Sequence, residues 1–273
     1  MQTVNIDLDH LRGIADRGVR RAAVFMGLGL NAAHREDFVD YELSKLPVIQ
    51  NRAAIPVEFI QENAPPGAIT RFKQEFATWI TGCGLREILE YYSLFLDHIH
   101  NYSLLVLQTR NELKDLNPKK THAKFRGFGI GKKLEWLKTH FNIDTKHASK
   151  ISDFYQVRNC LTHDLGIVMS KRFNTENALV VKWLALDLLV KELNSDRERT
   201  LYELRNKTIE GGGNIVLKVI ECERTFTEGE KLTLSHQDLW GICQFFHMFA
   251  ISNVVESFAD FLKRHNIQGP PKL

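Results

Sequence analysis

Along the stretch Ile151-Ser152-Asp153-Phe154-Tyr155-Gln156-Val157-Arg158-Asn159-Cys160-Leu161-Thr162-His163, three side chains have the types and spacing for phosphodiester chemistry: Arg158, Asn159 and His163. The stretch reads as a helix from about Lys146 to His163, with an apolar stripe of Ile151, Phe154, Tyr155 and Leu161. Arg158 comes seven places after Ile151, so at about 100° per residue it points nearly the same way as that stripe. Asn159 and His163 are four apart and neighbour one another on an adjoining face. A guanidinium offers phosphate oxygens a rigid donor fork whose charge cannot be titrated away. An imidazole, with an ordinary pKa of about 6.5, takes or gives a proton near neutrality and is able to deprotonate a ribose 2'-hydroxyl. In that chemistry Arg158 holds the scissile phosphate, His163 is the acid/base, and Asn159 orients the imidazole or the substrate. The competing expectation is structural: Arg158 pairs with an acid at the core edge, and His163 caps the helix before an Asp164-Leu165-Gly166 stop.

The hexapeptide Arg158-Asn159-Cys160-Leu161-Thr162-His163 resembles the signature of the HEPN superfamily, the higher eukaryotes and prokaryotes nucleotide-binding helical domains. That signature is an Arg and a His with four to six residues between them. Here the form is the four-residue one, with the polar residue that the family often places directly after the Arg. The resemblance covers residues 67–165 plus 235–265. It implies metal-independent endoribonuclease activity through 2'-hydroxyl attack, needing no cofactor, in a homodimer that brings two motifs together. A toxin or defence effector, with an antitoxin or regulatory protein as partner, is the corresponding expectation. Dimerisation also has a chemical reason: cleavage of this kind needs a base, an acid and charge stabilisation, and one motif supplies a single imidazole. Two other readings stay open. One is a catalytically inactive module that binds RNA or nucleotide, and the other is a protein-interaction domain that presents a β-rich insertion.

A second cluster adds to the RNA expectation. Residues 117–131 read as a basic loop with Lys119, Lys120, Lys124 and Arg126, followed by Lys132 and Lys133 and interleaved with His122, Phe125 and Phe128. Charge mixed with stacking surface suits single-stranded RNA. The glycines at 127, 129 and 131 suggest a phosphate-binding loop, but Arg126 stands where the first glycine belongs and Lys133 where a magnesium-binding hydroxyl belongs. They fit equally well as the lead-in to a helix from Lys132 to His140. Glu87, Glu90 and Asp97 are acidic candidates that read more simply as the outer face of an amphipathic helix.

The positioning elements are mainly helical. The expected fold is a HEPN-like helical bundle with a β-rich insertion before the C-terminal helix. Its parts are an N-terminal helical extension (1–66), a helical core (67–165), the insertion (166–234), a C-terminal core helix (235–265) and a tail (266–273). Leu8, Leu11, Ile14, Ala15, Val19 and Ala22 predict a first helix from Asp7 to about Met26, and Pro47, Pro56 and Pro65-Pro66-Gly67 break the chain after it. Residues 69–80 look helical, Gly82 and Gly84 interrupt, and Leu85, Ile88, Leu89, Tyr92, Phe95, Leu96, Ile99 and Tyr102 trace a long central helix. Residues 178–190 are ambiguous between strand and helix, leaning to strand at Val180, Val181 and Trp183. Residues 214–220 and 232–234 predict a hairpin around Thr227-Glu228-Gly229-Glu230. Ser235 and Asp238 open a last helix that runs to about Arg264, before a frayed Gly269-Pro270-Pro271.

Composition excludes disorder, with 44% hydrophobic and 25% charged residues, and a net charge of +3 means that any nucleic-acid footprint must be local. The apolar run at 178–190 is interrupted by Lys182 and Asp187 and is too short to span a bilayer, so a cytoplasmic address and no membrane partner are expected. Cys83, Cys160, Cys222 and Cys243 lack zinc-ligand spacing and read as reduced, mostly buried thiols.

Overall fold

Asp7 starts the first helix, α1 (Leu8–His34): its Oδ1 accepts from the amides of Asp9 at 2.9 Å and His10 at 3.0 Å. The computed structural model describes residues 6–35, 67–113, 117–193, 198–200, 203 and 212–267. The prolines at 47, 56, 65 and 66 and the 269–271 tail lie outside the described residues.

α1 runs beyond the expected Met26 because Met26, Leu30 and Ala33 continue its buried stripe. The next helix, α2 (Ala68–Thr109), corrects the expected break at Gly82 and Gly84, since it is continuous over 42 residues. The glycines serve contact rather than interruption. A Cβ on Gly84 would fall 2.3 Å from Met26 Sδ, and one on Gly82 would fall 3.2 Å from Leu161 Cβ. On α1, Gly18 faces Tyr91 and Gly29 faces Ile80, so α1 and α2 lie antiparallel and close together. α1, assigned by the sequence to an N-terminal extension, contributes to the same apolar core as α2 and the C-terminal helices.

The basic segment is also corrected: it is not a loop. Asn117 caps α3 (Pro118–Arg126), its Oδ1 accepting from the Lys120 amide at 3.1 Å, and Pro118 fits the first turn, where no amide partner is needed. Phe125, fully buried, ties α3 to the core, and Gly127–Gly129 lead into α4 (Ile130–Phe141). α5 (Ala148–His163) follows.

The ambiguous apolar run is strand along its whole length. β1 (Leu179–Glu192) buries Leu179, Val181, Trp183 and Ala185 at alternate positions. Its partners are β2 (Glu198–Thr200) and β3 (Gly213–Phe226), in the antiparallel order β2-β1-β3. The expected hairpin is therefore wrong in its pairing, because 214–220 belongs to β3 and pairs with β1 in register from Leu179↔Phe226 to Glu192↔Gly213. The turn at Thr227–Glu230 does form, but the chain after it returns to the end of α5. There Leu232 donates its amide to the Gly166 carbonyl at 2.7 Å and Lys231 bridges Ile167. β1 offers a longer apolar partner than three residues after a turn.

The last helix begins at Ser235 with the expected capping box as α6 (His236–Gln244), widens into a π turn over Phe245–Ala250, and continues as α7 (Ile251–Arg264). The chain is thus mostly helical, with a small three-stranded antiparallel sheet before its C-terminal helices. No described helix is long and apolar enough to cross a membrane.

Candidate functional site

Ile151, Phe154, Val157, Cys160 and Leu161 anchor α5 in the core. Tyr155 does not belong to that buried stripe, against the expectation from its spacing: it is 38% exposed, and Val157 occupies the inward position instead. What Tyr155 does is receive Arg158, whose guanidinium carbon lies 5.8 Å from its ring centroid.

Arg158 is half-buried and donates from Nη1 to Asn159 Oδ1 at 2.8 Å. Among the described residues no carboxylate pairs with it, and its side-chain partner on α5 is an amide. Asn159 is 8% exposed, and its oxygen faces Arg158 rather than orienting an imidazole. His163 sits exposed in the last turn, and its side chain makes no hydrogen bond to any described residue. The three motif residues thus divide: Arg158 and Asn159 form a bonded pair, and His163 stands free one turn on.

The acid beside the motif is committed elsewhere. Asp164 accepts from Lys171 at 2.6 Å and Arg172 at 2.7 Å, and these two hydrogen bonds hold its carboxyl below the usual carboxylate range. They also tie the short turn Ser170–Arg172 to the end of α5. Between them Leu165 turns with φ 54° and is 83% exposed, leaving a bulky apolar side chain in solvent next to His163. Ile167 and Met169 are also exposed nearby, at 37% and 42%.

Lys119, Lys120, Lys124 and Arg126 on α3 and Lys132 on α4 are all exposed, and none forms an ion pair among the described residues. Lys124 lies 5.8 Å from the Trp136 ring centroid and Lys132 4.5 Å from that of Phe128, while Trp136 stacks on His140 at 3.9 Å. Charge and aromatic surface are therefore interleaved in space as in sequence. A Cβ on Gly131 would touch Ser152 Oγ at 3.4 Å, so α4 starts against α5, and Arg158 is about 9 Å further along the α5 axis.

Sequence reasoning missed three pairings that only tertiary contact creates. Lys133, next to Lys132, is 1% exposed and donates to Asp97 at 2.6 Å and Ser93 Oγ at 2.8 Å. That removes Lys133 from the basic surface and Asp97 from the outer acidic face. His247, in the π turn, meets the buried Asp16 at 2.7 Å. His100 and His122 approach through their Nδ1 atoms at 3.0 Å. The periodicity of neither partner announces the other.

Two cavities of about 590 and 490 Å³ open beside α2, the first walled by Leu161 and Lys231 and the second by Lys133 and Arg126. Neither is lined by Arg158, Asn159 or His163. Cys160 and Cys243 are buried thiols pushed up to about 11, chiefly by that burial, which makes them poor nucleophiles, while Cys83 and Cys222 are half-buried. Among the described residues no three His, Cys, Asp or Glu converge as a metal site.

No known family's sequence pattern matches this chain, and neither any curated protein nor any solved structure does.

Proposed function

We propose that this protein is a metal-independent endoribonuclease of HEPN type, in which Arg158 binds the scissile phosphate, His163 moves the proton of the attacking 2'-hydroxyl, and Asn159 positions Arg158. The observation that carries the reading is the state of Arg158: a half-buried guanidinium held by a neutral amide and a ring face, without a carboxylate among the described residues to neutralise it. Such a cation retains its attraction for a phosphate oxygen, and the exposed imidazole of His163 lies on the same helix within a substrate's reach. Lys119, Lys120, Lys124, Arg126 and Lys132 supply backbone contacts to the flanking RNA, and Phe128 and Trp136 supply stacking surface.

The active unit in this proposal is a homodimer in which two copies of His163 serve as base and acid. Exposed Leu165, Ile167 and Met169 beside the motif suit that contact. A toxin or defence effector held by an antitoxin or regulatory protein is the biological setting that goes with it.

The test is incubation of purified protein with end-labelled RNA in EDTA. Cleavage leaving a 2',3'-cyclic phosphate is expected, and His163→Ala abolishes it at unchanged thermal stability. One observation favours a second reading: because Asn159 is turned to Arg158, nothing among the described residues orients His163. RNA binding without cleavage would establish that inactive, HEPN-type binding module instead.

A further inference from the structure

The β1–β3 ribbon is two-faced. In β1 the odd-numbered residues Leu179, Val181, Trp183 and Ala185 pack inward. The register places Leu184 opposite Glu221, Leu186 opposite Val219, Leu188 opposite Leu217 and Val190 opposite Ile215, so these pairs share the outward face. A strand whose second face meets water ordinarily alternates apolar with polar. Here the outward face of the distal half is apolar on both strands: exposure is 42% at Leu188, 72% at Ile215 and 56% at both Leu217 and Val219, whereas Val190, opposite Ile215, is already covered at 7%.

Charge surrounds this strip without entering it. Lys218 is bonded to Glu198, Glu221 to Lys150, Glu223 to Lys182, and Arg224 to Asp238 at 3.0 Å, so every charged side chain of β3 is paired within the protomer. No unpaired charge on β3 guards the apolar face, which is the device that soluble sheets use against association.

We propose that this face is the contact between two copies of the chain, packed sheet on sheet about a twofold axis. The occupant follows from the face itself. An apolar strip carrying no unpaired charge on β3 offers a partner of opposite charge nothing to recognise, and it is complementary to its own copy. The four most exposed side chains present on the order of 400 Å² of apolar surface, which is where a patch stops being ordinary for a monomer. Two such strips, extended by Leu186, approach the roughly 1,000 Å² that a specific interface requires. The contact is distinct from the end of α5, so together with a motif-to-motif dimer it yields a closed tetramer where the two twofold axes meet at right angles.

Light scattering after size exclusion at micromolar concentration tests this with wild type, Ile215→Lys and Leu217→Lys. Both substituted side chains face solvent, and circular dichroism with a thermal melt checks that each variant is folded. The expected result is an oligomeric wild type whose mass falls by half in both variants, with any RNA cleavage per chain retained. A monomeric wild type, or folded lysine variants of wild-type mass, overturns the proposal and assigns the strip to a different partner. Leu165→Glu, at the other face, separates the two contacts: loss of cleavage without loss of the ribbon dimer bears on the nuclease reading alone.

Discussion

Arg158 donates to the side-chain oxygen of Asn159, the next residue, at 2.8 Å, and that neutral amide stands where a half-buried arginine usually has a carboxylate. The arrangement fixes the guanidinium without cancelling its charge. Supplying the missing acid should therefore silence the site: in Asn159→Asp the new carboxylate forms an ion pair with Arg158 and competes with the substrate phosphate. RNA cleavage is expected to fall at least tenfold, about 1.4 kcal/mol in transition-state terms, while the melting temperature is unchanged or rises. A rate assay on the folded variant decides it, and wild-type activity in Asn159→Asp would remove Arg158 from phosphate binding.

Arg158→Lys preserves the charge but loses both the planar fork to Asn159 and the stack on Tyr155. Cleavage should drop by about 10²-fold, in the range seen when one donor to a developing oxyanion is deleted. Full activity in the lysine variant would mean that the site requires only a positive charge.

In the proposed RNA contact the five exposed cations of α3 and α4 act as a set, so single changes are expected to be mild. Substituting Lys124 and Lys132 together by Ala removes two charges, along with their placement over Trp136 and Phe128. The slope of log affinity against log salt for a single-stranded RNA should fall by about 1.4, near 0.7 for each phosphate that a lysine no longer neutralises. Lys133→Ala acts differently: it leaves Asp97 partly buried without its cation and should destabilise the protein by about 3 kcal/mol. Comparing the two by RNA titration and chemical denaturation separates surface lysines from the buried one.

What was legible in the sequence follows periodicity. The stripes of α1, α2 and α7 are local and read directly, and the Ser235–Asp238 box and the Asp164-Leu165-Gly166 stop are local too. What was not legible needed a partner. Gly82 and Gly84 look like helix breakers until Leu161 and Met26 arrive against them. Asn117-Pro118 is a helix start that the following lysines disguised as a loop. Residues 214–220 carried a correct strand signal, but pairing is a choice among distant segments, and β1 outcompeted the nearby 232–234. At the candidate site the residue types and their helix were readable, whereas the Arg158–Asn159 bond and the burial of Lys133 depend on rotamers and packing.

Acid should weaken the fold through His100. Its ring lies 3.9 Å from that of Phe125 with no exposed surface, and burial first, then His122, His140 and Lys133, push its pKa down to about 3. An unfolded histidine titrates near 6.5, so between pH 6.5 and 3 the unfolded chain holds a proton that the folded one excludes, and stability declines as the pH falls through that window. Asp164 adds its own loss lower down: its folded pKa is depressed, so its stabilisation is present above about pH 4 and disappears as the pH falls through the folded value. Calorimetry at pH 7 and 4.5 should show a drop in melting temperature for wild type and a smaller one for His100→Phe. Some drop persists because burial also lowers the pKa values of His98, His122 and His147. Equal drops in the two proteins would clear His100 of the effect.

The antiparallel contact of α1 and α2 rests on Gly18, where even one methyl has no room: its Cβ would stand 2.3 Å from Tyr91 Cβ and 2.7 Å from Cγ. Tyr91 Cβ is fixed by the backbone, so no rotamer of Tyr91 withdraws it, and relief requires the helices to move apart. At Gly84 the opposing atoms belong to Met26, whose three rotatable bonds let it give way. Alanine favours a helix over glycine by about 1 kcal/mol, which makes the comparison sharp because propensity and packing have opposite signs. Gly18→Ala should nevertheless destabilise by about 1–3 kcal/mol, the ordinary cost of overpacking, whereas Gly84→Ala should come out near neutral. Urea denaturation of the two variants reads both values, and a Gly18→Ala protein as stable as wild type would show that α1 is not held against α2 at this distance.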